Sequence, residues 1–471
     1  MNNTPIINKL NDMKNSEIIS FHVPGHKNGK IFDRLGYSDF KKNIVNIDTT
    51  EIPGTDNLHS PEEIIKESQE IAAKVFKSDH TFFLVNGTTC GIQAAIMSVC
   101  SLKDKIIVNR DCHQSVINTC ILGDIEPVYV NPHIDKSSGI SLGVSLRDIE
   151  MLIEEDEDIK AVLITSPTYY GINTDIKSIS EYLHKKNKIL IVDEAHGSHI
   201  GLSERLGVSA IQQGADISIQ STHKTLPCFT QASMLHVNSN KIDINRLKSF
   251  LRIVQSSSPS YIMMSSIEMA VEIYKYHGKE LMKELISNID RTKDYINNLK
   301  NIYLYDYKGN DITKMYIITK NLNRSGYEIE DILRKKYNIQ VELSNPYGVL
   351  LICSIGNDNY DFEKLIQALE YIDNEIGDED LLEIDYPNHI PQKALNPREA
   401  FYSNKKRIPI KEGIGKICAE YIIPYPPGIS LLSPGEIITE EIIDYIQKCK
   451  RIGMNITGIE DQNLDFIKII D

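Results

Sequence analysis

From about residue 60 to residue 240 the chain alternates between two hydrophobic rhythms. Short, nearly continuous apolar runs predict strands at 81–85, 105–109, 127–131, 161–165, 189–192, 217–220 and 232–237. Between them apolar residues return at helical spacing, as over 146–154 and 176–186. Strands apolar on both sides must be covered on both faces. The pattern therefore predicts an α/β unit, a large parallel or mixed sheet sandwiched by helices. Such sheets bind ligands beyond the carboxyl ends of their strands. Ahead of the first strand, Ser60-Pro61-Glu62-Glu63 reads as a capping box with proline at the first helical position. Ile64, Ile65, Ile71, Ala72, Val75 and Phe76 then continue a helix to about Lys77.

Past Pro259 a long helical stretch, interrupted near Gly278, runs to about Asn301. A strand at 315–319, a helix at 328–336, paired strands near 340–343 and 349–354 and a helix at 362–374 predict a smaller α+β domain. The expected division is an N-terminal segment, 1–45; a large domain, 46–300; a small domain, 301–377; and a C-terminal region, 378–471. That last region opens with a Pro- and charge-rich connection, 378–406, and carries Tyr425-Pro426-Pro427-Gly428. A chain of 471 residues is long enough for several cores.

Composition narrows the class. The eight cysteines form no C-x-x-C pair and no cluster with histidine at zinc spacing, so they read as reduced thiols of a cytoplasmic protein. No apolar run approaches the ~20 residues that span a bilayer, and the N-terminus lacks a signal-peptide pattern. The net charge of -14 (51 Lys plus Arg, 65 Asp plus Glu) opposes nucleic acid and favours cationic small molecules.

Candidate chemistry lies at two strand ends. Lys224 follows Ser221-Thr222-His223 after the run ending at Gln220, and Asp193 closes 189–192. An amine and a carboxylate so placed suit an aldehyde cofactor: one forms a Schiff base, the other holds a pyridinium proton. Asp193 also has the plainer reading of a helix N-cap, and Asp193-Glu194-Ala195-His196 resembles the acidic motif of nucleotide-driven helicases. That rival requires G-x-x-x-x-G-K-[ST], which no glycine here satisfies. Asn86-Gly87-Thr88-Thr89-Cys90-Gly91, between a strand and a helix, suits either a phosphate cup or an ordinary capping turn. Ser221 and His223 would add a hydroxyl and an imidazole to the cup. His113 could lie flat on an aromatic cofactor. His196 and His199 stand three apart but lack a third ligand at recognisable spacing, so no metal is expected.

Eight motifs occur in the order seen in the bacterial ornithine/lysine/arginine decarboxylase family, which the chain resembles over nearly its whole length. They are His22-Val23-Pro24-Gly25-His26-Lys27, Asp56-Asn57-Leu58-His59, Asn86-Gly87-Thr88-Thr89, Arg110-Asp111-Cys112-His113, Asp193-Glu194-Ala195-His196-Gly197, Ser221-Thr222-His223-Lys224, Ser256-Ser257-Ser258-Pro259-Ser260-Tyr261 and Pro424-Tyr425-Pro426-Pro427-Gly428. The likeness is to the short form, without the N-terminal regulatory-type domain.

The resemblance implies a pyridoxal 5'-phosphate enzyme of the aspartate-aminotransferase fold (fold type I), working as a homodimer or larger assembly with sites at the subunit interface. It implies that Lys224 binds the cofactor aldehyde, Asp193 pairs with the pyridine nitrogen, and His113 and Ala195 cover the two ring faces. Thr88, Thr89, Ser221 and His223 would hold the phosphate, with Ser258 from the neighbouring subunit and His196 near the ring hydroxyl or substrate carboxylate. Either Lys224 or His223 would protonate the product carbanion. Asn57 stands where many members carry an acid, Ser256-Ser257-Ser258 replaces a more Thr-rich form, and Cys90 occupies a cup position often held by Ser or Thr. A carboxylate facing the substrate's distal cation is expected from Glu420 first, then Asp56 or Glu51. The expected substrate order is arginine, lysine, ornithine, in polyamine metabolism. The alternatives are an aminotransferase or another lyase using the same cofactor, a non-catalytic cofactor-binding relative, and a nucleotide-driven protein.

Overall fold

The computed structural model describes residues 4–378, 386–387, 389–425 and 428–471. Its central sheet has seven strands: β1 His80–Leu84, β2 Lys105–Asn109, β3 Glu126–Val130, β4 Ile159–Thr165, β5 Ile189–Asp193, β6 Ile217–Gln220 and β7 Ser233–Val237. Their spatial order is β1-β7-β6-β5-β4-β2-β3. β3, β2, β4, β5 and β6 run parallel, whereas β7 is antiparallel to both β6 and β1. The sheet is therefore mixed. Alternate residues feed two separate cores: Ile106, Val108, Leu163 and Ile191 pack on one side, and Ile107, Val162, Ile164, Leu190 and Val192 on the other. That division is the period-two geometry of a strand buried on both faces.

The helix before β1 spans Ile64–Phe76 and is not capped by Ser60. Asp56 performs that task instead. In a left-handed conformation (φ 65°), its carboxylate accepts from the backbone N–H groups of Asn57, Glu62, Glu63 and Ile65. Burial opposes the charge, but these four donors prevail and hold the carboxyl below its ordinary range. Asp56→Ala is expected to lower stability by about 1–2 kcal/mol, measured by urea unfolding. The loss should shrink as acid protonates the wild-type carboxyl, since a depressed pKa stabilises only above it.

The long helical stretch divides into Tyr261–Tyr276 and Gly278–Ile296. A second sheet follows, all antiparallel, ordered Tyr303–Leu304, Lys314–Ile318, Gly348–Ile352 and Leu343–Asn345. The expected pairing near 340–343 and 349–354 is present with shifted bounds, as Leu343–Asn345 against Gly348–Ile352. Ile339–Val341 joins no strand of this sheet; it pairs in parallel with Ile19–Phe21, so residues near the N-terminus close onto this part of the molecule. Within the stretch read as a connection, Pro397–Tyr402 is helical and Lys405–Pro409 pairs with Phe466–Ile470. Cys418, Leu432, Ile442, Ile446 and Ile467 form a core there. Pro426 and Pro427 lie outside the described residues. The eight cysteines are unpaired.

The C-terminal region is tied to the large sheet by a buried ion pair. Arg110, following β2, places both terminal nitrogens on the two Glu436 oxygens at 2.5 and 2.6 Å and donates to the carbonyls of Ser430 and Leu431. Its guanidinium also lies 4.7 Å from the centre of the Tyr129 ring.

Candidate active site

The ends of β4, β5 and β6 converge where the parallel strands finish. Thr165 is in register with Asp193, and Asp193 with Ile219. After β6 the chain makes a single helical turn, Thr222–Thr225, which carries Lys224. Gly25 braces that turn: its N–H donates to the His223 carbonyl at 2.7 Å, and any Cβ on it would sit 2.5 Å from the Leu226 carbonyl oxygen.

The Lys224 Nζ is 3.0 Å from Nε2 of His196, and the other nitrogen of that ring, Nδ1, lies 3.5 Å from Nζ of Lys314. Burial first, then Lys224 and Lys314, hold His196 far below its ordinary range, so the ring is neutral with one N–H and one acceptor. It cannot accept from two ammonium groups. At most one of the two lysines can donate to a ring nitrogen as an ammonium, and the other faces the ring N–H, where a free amine is favoured. Burial also lowers Lys224, against the opposing pull of Asp193 and Glu342. A desolvated amine with its lone pair available is a nucleophile for a carbonyl.

Asp193 is buried and accepts from the Ala195 N–H at 3.2 Å. Among the described residues it forms no ion pair. Burial raises its carboxyl, while His113 and Lys224 pull the other way. His113 caps the helix Gln114–Gly123 through Nδ1, which contacts the N–H and hydroxyl of Ser115. Burial lowers its pKa, with Asp193 opposing. Glu194, beside Asp193, is turned into the interior and accepts from Ala210 N–H, Ser218 and Gln220, with burial pushing it up to about 7.

At the start of the helix Gly87–Val99, three hydroxyls meet: Thr88 lies 2.5 Å from Ser221 and 3.1 Å from Ser233. Free N–H groups in the same first turn make this an anion site. Thr89 is exposed. Cys90 faces away, its thiol directed at the Gly87 carbonyl and pushed up to about 12 by burial, so it offers a cup no side-chain donor. His223 donates from Nδ1 to the Ala232 carbonyl at 3.0 Å, and burial brings it down to about 4. In this neutral form its Nε2 is an acceptor, so contact with a phosphate would require a second proton.

Two expected substrate carboxylates are engaged elsewhere. Asp56 caps its helix. Glu420 uses both oxygens on backbone N–H groups of its own region, Glu460 at 2.8 Å and Lys468 at 2.7 Å. Half-buried Asp56 and buried Glu420 are both acids satisfied by main chain, an arrangement with no sequence signature. Glu51 is half-buried, with no hydrogen-bond partner for Oε1. Ser258 is exposed; its N–H donates to the Ser256 hydroxyl.

The structure adds four residues to those expected. Ser233 completes the hydroxyl cluster. Tyr169 lies with its ring 4.6 Å from His196 and donates to Glu342 at 2.5 Å. Glu342 also accepts from Val23 N–H at 2.9 Å. Lys314 begins a strand of the second sheet, and its buried ammonium adjoins His196. Only Ser233 could have been found by pattern, as the hydroxyl opening a strand beside β6.

Fold and site together define an α/β enzyme of the aspartate-aminotransferase type, with a half-buried lysine and a buried carboxylate at neighbouring strand ends. Residues 4–318 match the Orn/Lys/Arg decarboxylase major domain, and residues 381–463 match the C-terminal domain of the same family. The chain belongs to the Orn/Lys/Arg decarboxylase family. It is 37% identical to arginine decarboxylase of Bacillus subtilis over 99% of this chain and 98% of that one. It is 24% identical to the inducible lysine decarboxylase of Escherichia coli over 94% of this chain and 76% of that one. The fold is similar to that of lysine decarboxylase from Francisella novicida (TM-score 0.78, 23% identity, 95% of this chain and 78% of that one). A more remote likeness is to alanine-glyoxylate aminotransferase from Nostoc (TM-score 0.56, 12% identity, 71% and 92% covered). Family and fold imply pyridoxal phosphate. Among the described residues no helix is long and apolar enough to cross a membrane.

Proposed function

We propose that this protein is a pyridoxal-phosphate-dependent decarboxylase of a basic L-amino acid, arginine before lysine and ornithine. The observation that carries the reading is the buried Asp193, without an ion-pair partner among the described residues, at the strand end next to the turn that carries Lys224, whose pKa burial lowers and whose Nζ lies 3.0 Å from His196. The hydroxyl cluster at the helix start fits the phosphate. When bound, pyridoxal phosphate supplies an aldehyde for the substrate amine and a conjugated ring that takes up the electron pair released with carbon dioxide.

The chain's own residues then have distinct tasks. Lys224 would bind the aldehyde and give it up to the substrate amine. Asp193 would hold the proton on the ring nitrogen, in a site dry enough to strengthen the pair. His113 and Ala195 would flank the ring, and Thr88, Ser221 and Ser233 would hold the phosphate with the helix N–H groups. Once released, Lys224 can return a proton to the α-carbon. Arginine ranks first because relatives 35–37% identical over nearly the whole chain are named arginine decarboxylases, whereas the named lysine decarboxylases are 23–24% identical.

A cytoplasmic homodimer completes the reading, with Ser258 reaching the partner's phosphate. Exposed Ser258, and the exposed Ile6, Ile7 and Leu10 of the helix Pro5–Asn15, which buries none of its residues, support a covering second copy. The test is purified, cofactor-loaded protein given each basic amino acid with no keto acid. Carbon dioxide and agmatine from arginine are expected, from protein that elutes as a dimer. Turnover only when a keto acid is supplied would overturn it.

A further inference from the structure

A substrate whose α-amine reaches Lys224 brings an α-carboxylate on the same carbon, so a cation should stand within a few bonds' reach of the Lys224 Nζ. Arginine is the usual partner for a carboxylate, but Arg110, the arginine just before His113, is committed to Glu436 and two carbonyls. Lys27 is buried too, yet its ammonium is held by the carbonyls of His22 and Ile352. Lys314 is different. It is 3% exposed, stands one imidazole away from Lys224, and its hydrogen-bond partner is His196 Nδ1 at a long 3.5 Å.

The carboxylates that influence it do not neutralise it by contact. Asp311 is occupied by His199 at 3.1 Å and by Thr313, and Glu342 by Tyr169 and Val23 N–H. Among the described residues Lys314 makes no ion pair. Burial lowers the Lys314 pKa, with Asp311 and Glu342 pulling the other way; an ammonium so weakly paired is costly to maintain, and an arriving anionic ligand favours the charged form and offsets that cost. The position is also fixed. The stem of Lys314 lies against Gly171, where any Cβ would come within 2.7 Å of Lys314 Cγ. Gly171 itself is in the left-handed region (φ 86°).

We propose that Lys314 is the cation that receives the α-carboxylate of the amino-acid substrate, delivered by the second sheet to a site whose other groups come from the large one. This rests on the reading of the protein as an amino-acid decarboxylase. It makes Lys314 a specificity-determining residue: it admits amino acids and gives no grip to the amine left after decarboxylation. The Lys314 ammonium and His196 would lie along one edge of the substrate and Lys224 at its amine. Product release follows from the same contact, since the amine has lost the group that Lys314 holds.

The experiment titrates the cofactor absorbance of the loaded protein with L-arginine, with L-argininamide, whose carboxylate is neutralised, and with agmatine, which lacks it. Wild-type protein is expected to bind arginine about 10- to 100-fold more tightly than argininamide, the worth of a charge-assisted hydrogen bond. Lys314→Met should erase that preference while leaving agmatine affinity within about threefold. Lys314→Arg should retain the preference. KM for arginine should rise in Lys314→Met by more than kcat falls. Equal loss of all three ligands in Lys314→Met, or an unchanged preference for arginine, overturns the proposal. If Lys314→Met does not fold, the wild-type comparison decides: equal binding of arginine and argininamide overturns it. A wild-type protein whose absorbance responds to none of arginine, lysine and ornithine instead removes the functional reading, and the proposal with it.

Discussion

Lys224→Ala is expected to lower decarboxylation by about 10⁴-fold or more, the scale on which enzymes lose rate when a covalent participant is removed. Two further signs should accompany the loss. Borohydride should no longer fix pyridoxal phosphate to the polypeptide, as read by intact mass. The cofactor should still bind, because Asp193, His113 and the Thr88-Ser221-Ser233 hydroxyls remain. Residual turnover near the wild-type rate, or a borohydride adduct on another lysine, would remove Lys224 from its assigned place. Lys314 is the lysine to inspect first in that event, since it shares His196 with Lys224.

Arg110→Met is expected to cost about 3–5 kcal/mol in unfolding free energy, because it leaves Glu436 buried without its countercharge. Glu436→Met should cost a similar amount by stranding Arg110. The double variant Arg110→Met/Glu436→Met should recover part of the loss, the pattern expected when the penalty is an unpaired charge and not the absence of attraction. Urea unfolding of the four proteins measures this directly. Additive losses would show that the two side chains act independently. Arg110 lies three residues before His113, so cofactor affinity is expected to fall along with stability.

The strand ends were legible because the chemistry follows a rule of geometry. In a sheet with parallel strands buried on both faces, apolar runs mark the strands and the polar residue after each run marks the rim of the site. Asp193, Lys224 and Thr88 obey that rule, and the eight ordered motifs carried the family. The residues that escaped do not follow it. Asp56 lies in a motif and Glu420 beside one, yet both are held by backbone N–H groups, and no residue type announces a main-chain partner. The apparent capping box at Ser60 failed for the same reason: Asp56, several residues upstream, already held those donors. Lys314 and Glu342 reach the site from a part of the chain more than a hundred residues beyond Tyr169, and their meeting depends on how two sheets are set against each other. The stretch near 340–343 divides between two partners: Leu343 pairs with the nearby strand as its pattern predicts, whereas Ile339–Val341 pairs with a strand more than three hundred residues away, which no local pattern announces.

That distant pairing has a consequence for how the molecule is made. Ile19–Phe21 leaves the ribosome early but has nothing to pair with until Ile339–Val341 has been synthesised. Val23 must likewise wait for Glu342, and Lys27 for Ile352. Contacts separated so widely in sequence form slowly, after their loop-closure entropy has been met. The Gly25 brace beneath the Lys224 turn belongs to the same waiting segment, so a nascent chain can complete its seven-stranded sheet while that turn still lacks its support. The beginning of the polypeptide is drawn in only after residue 352 has been made.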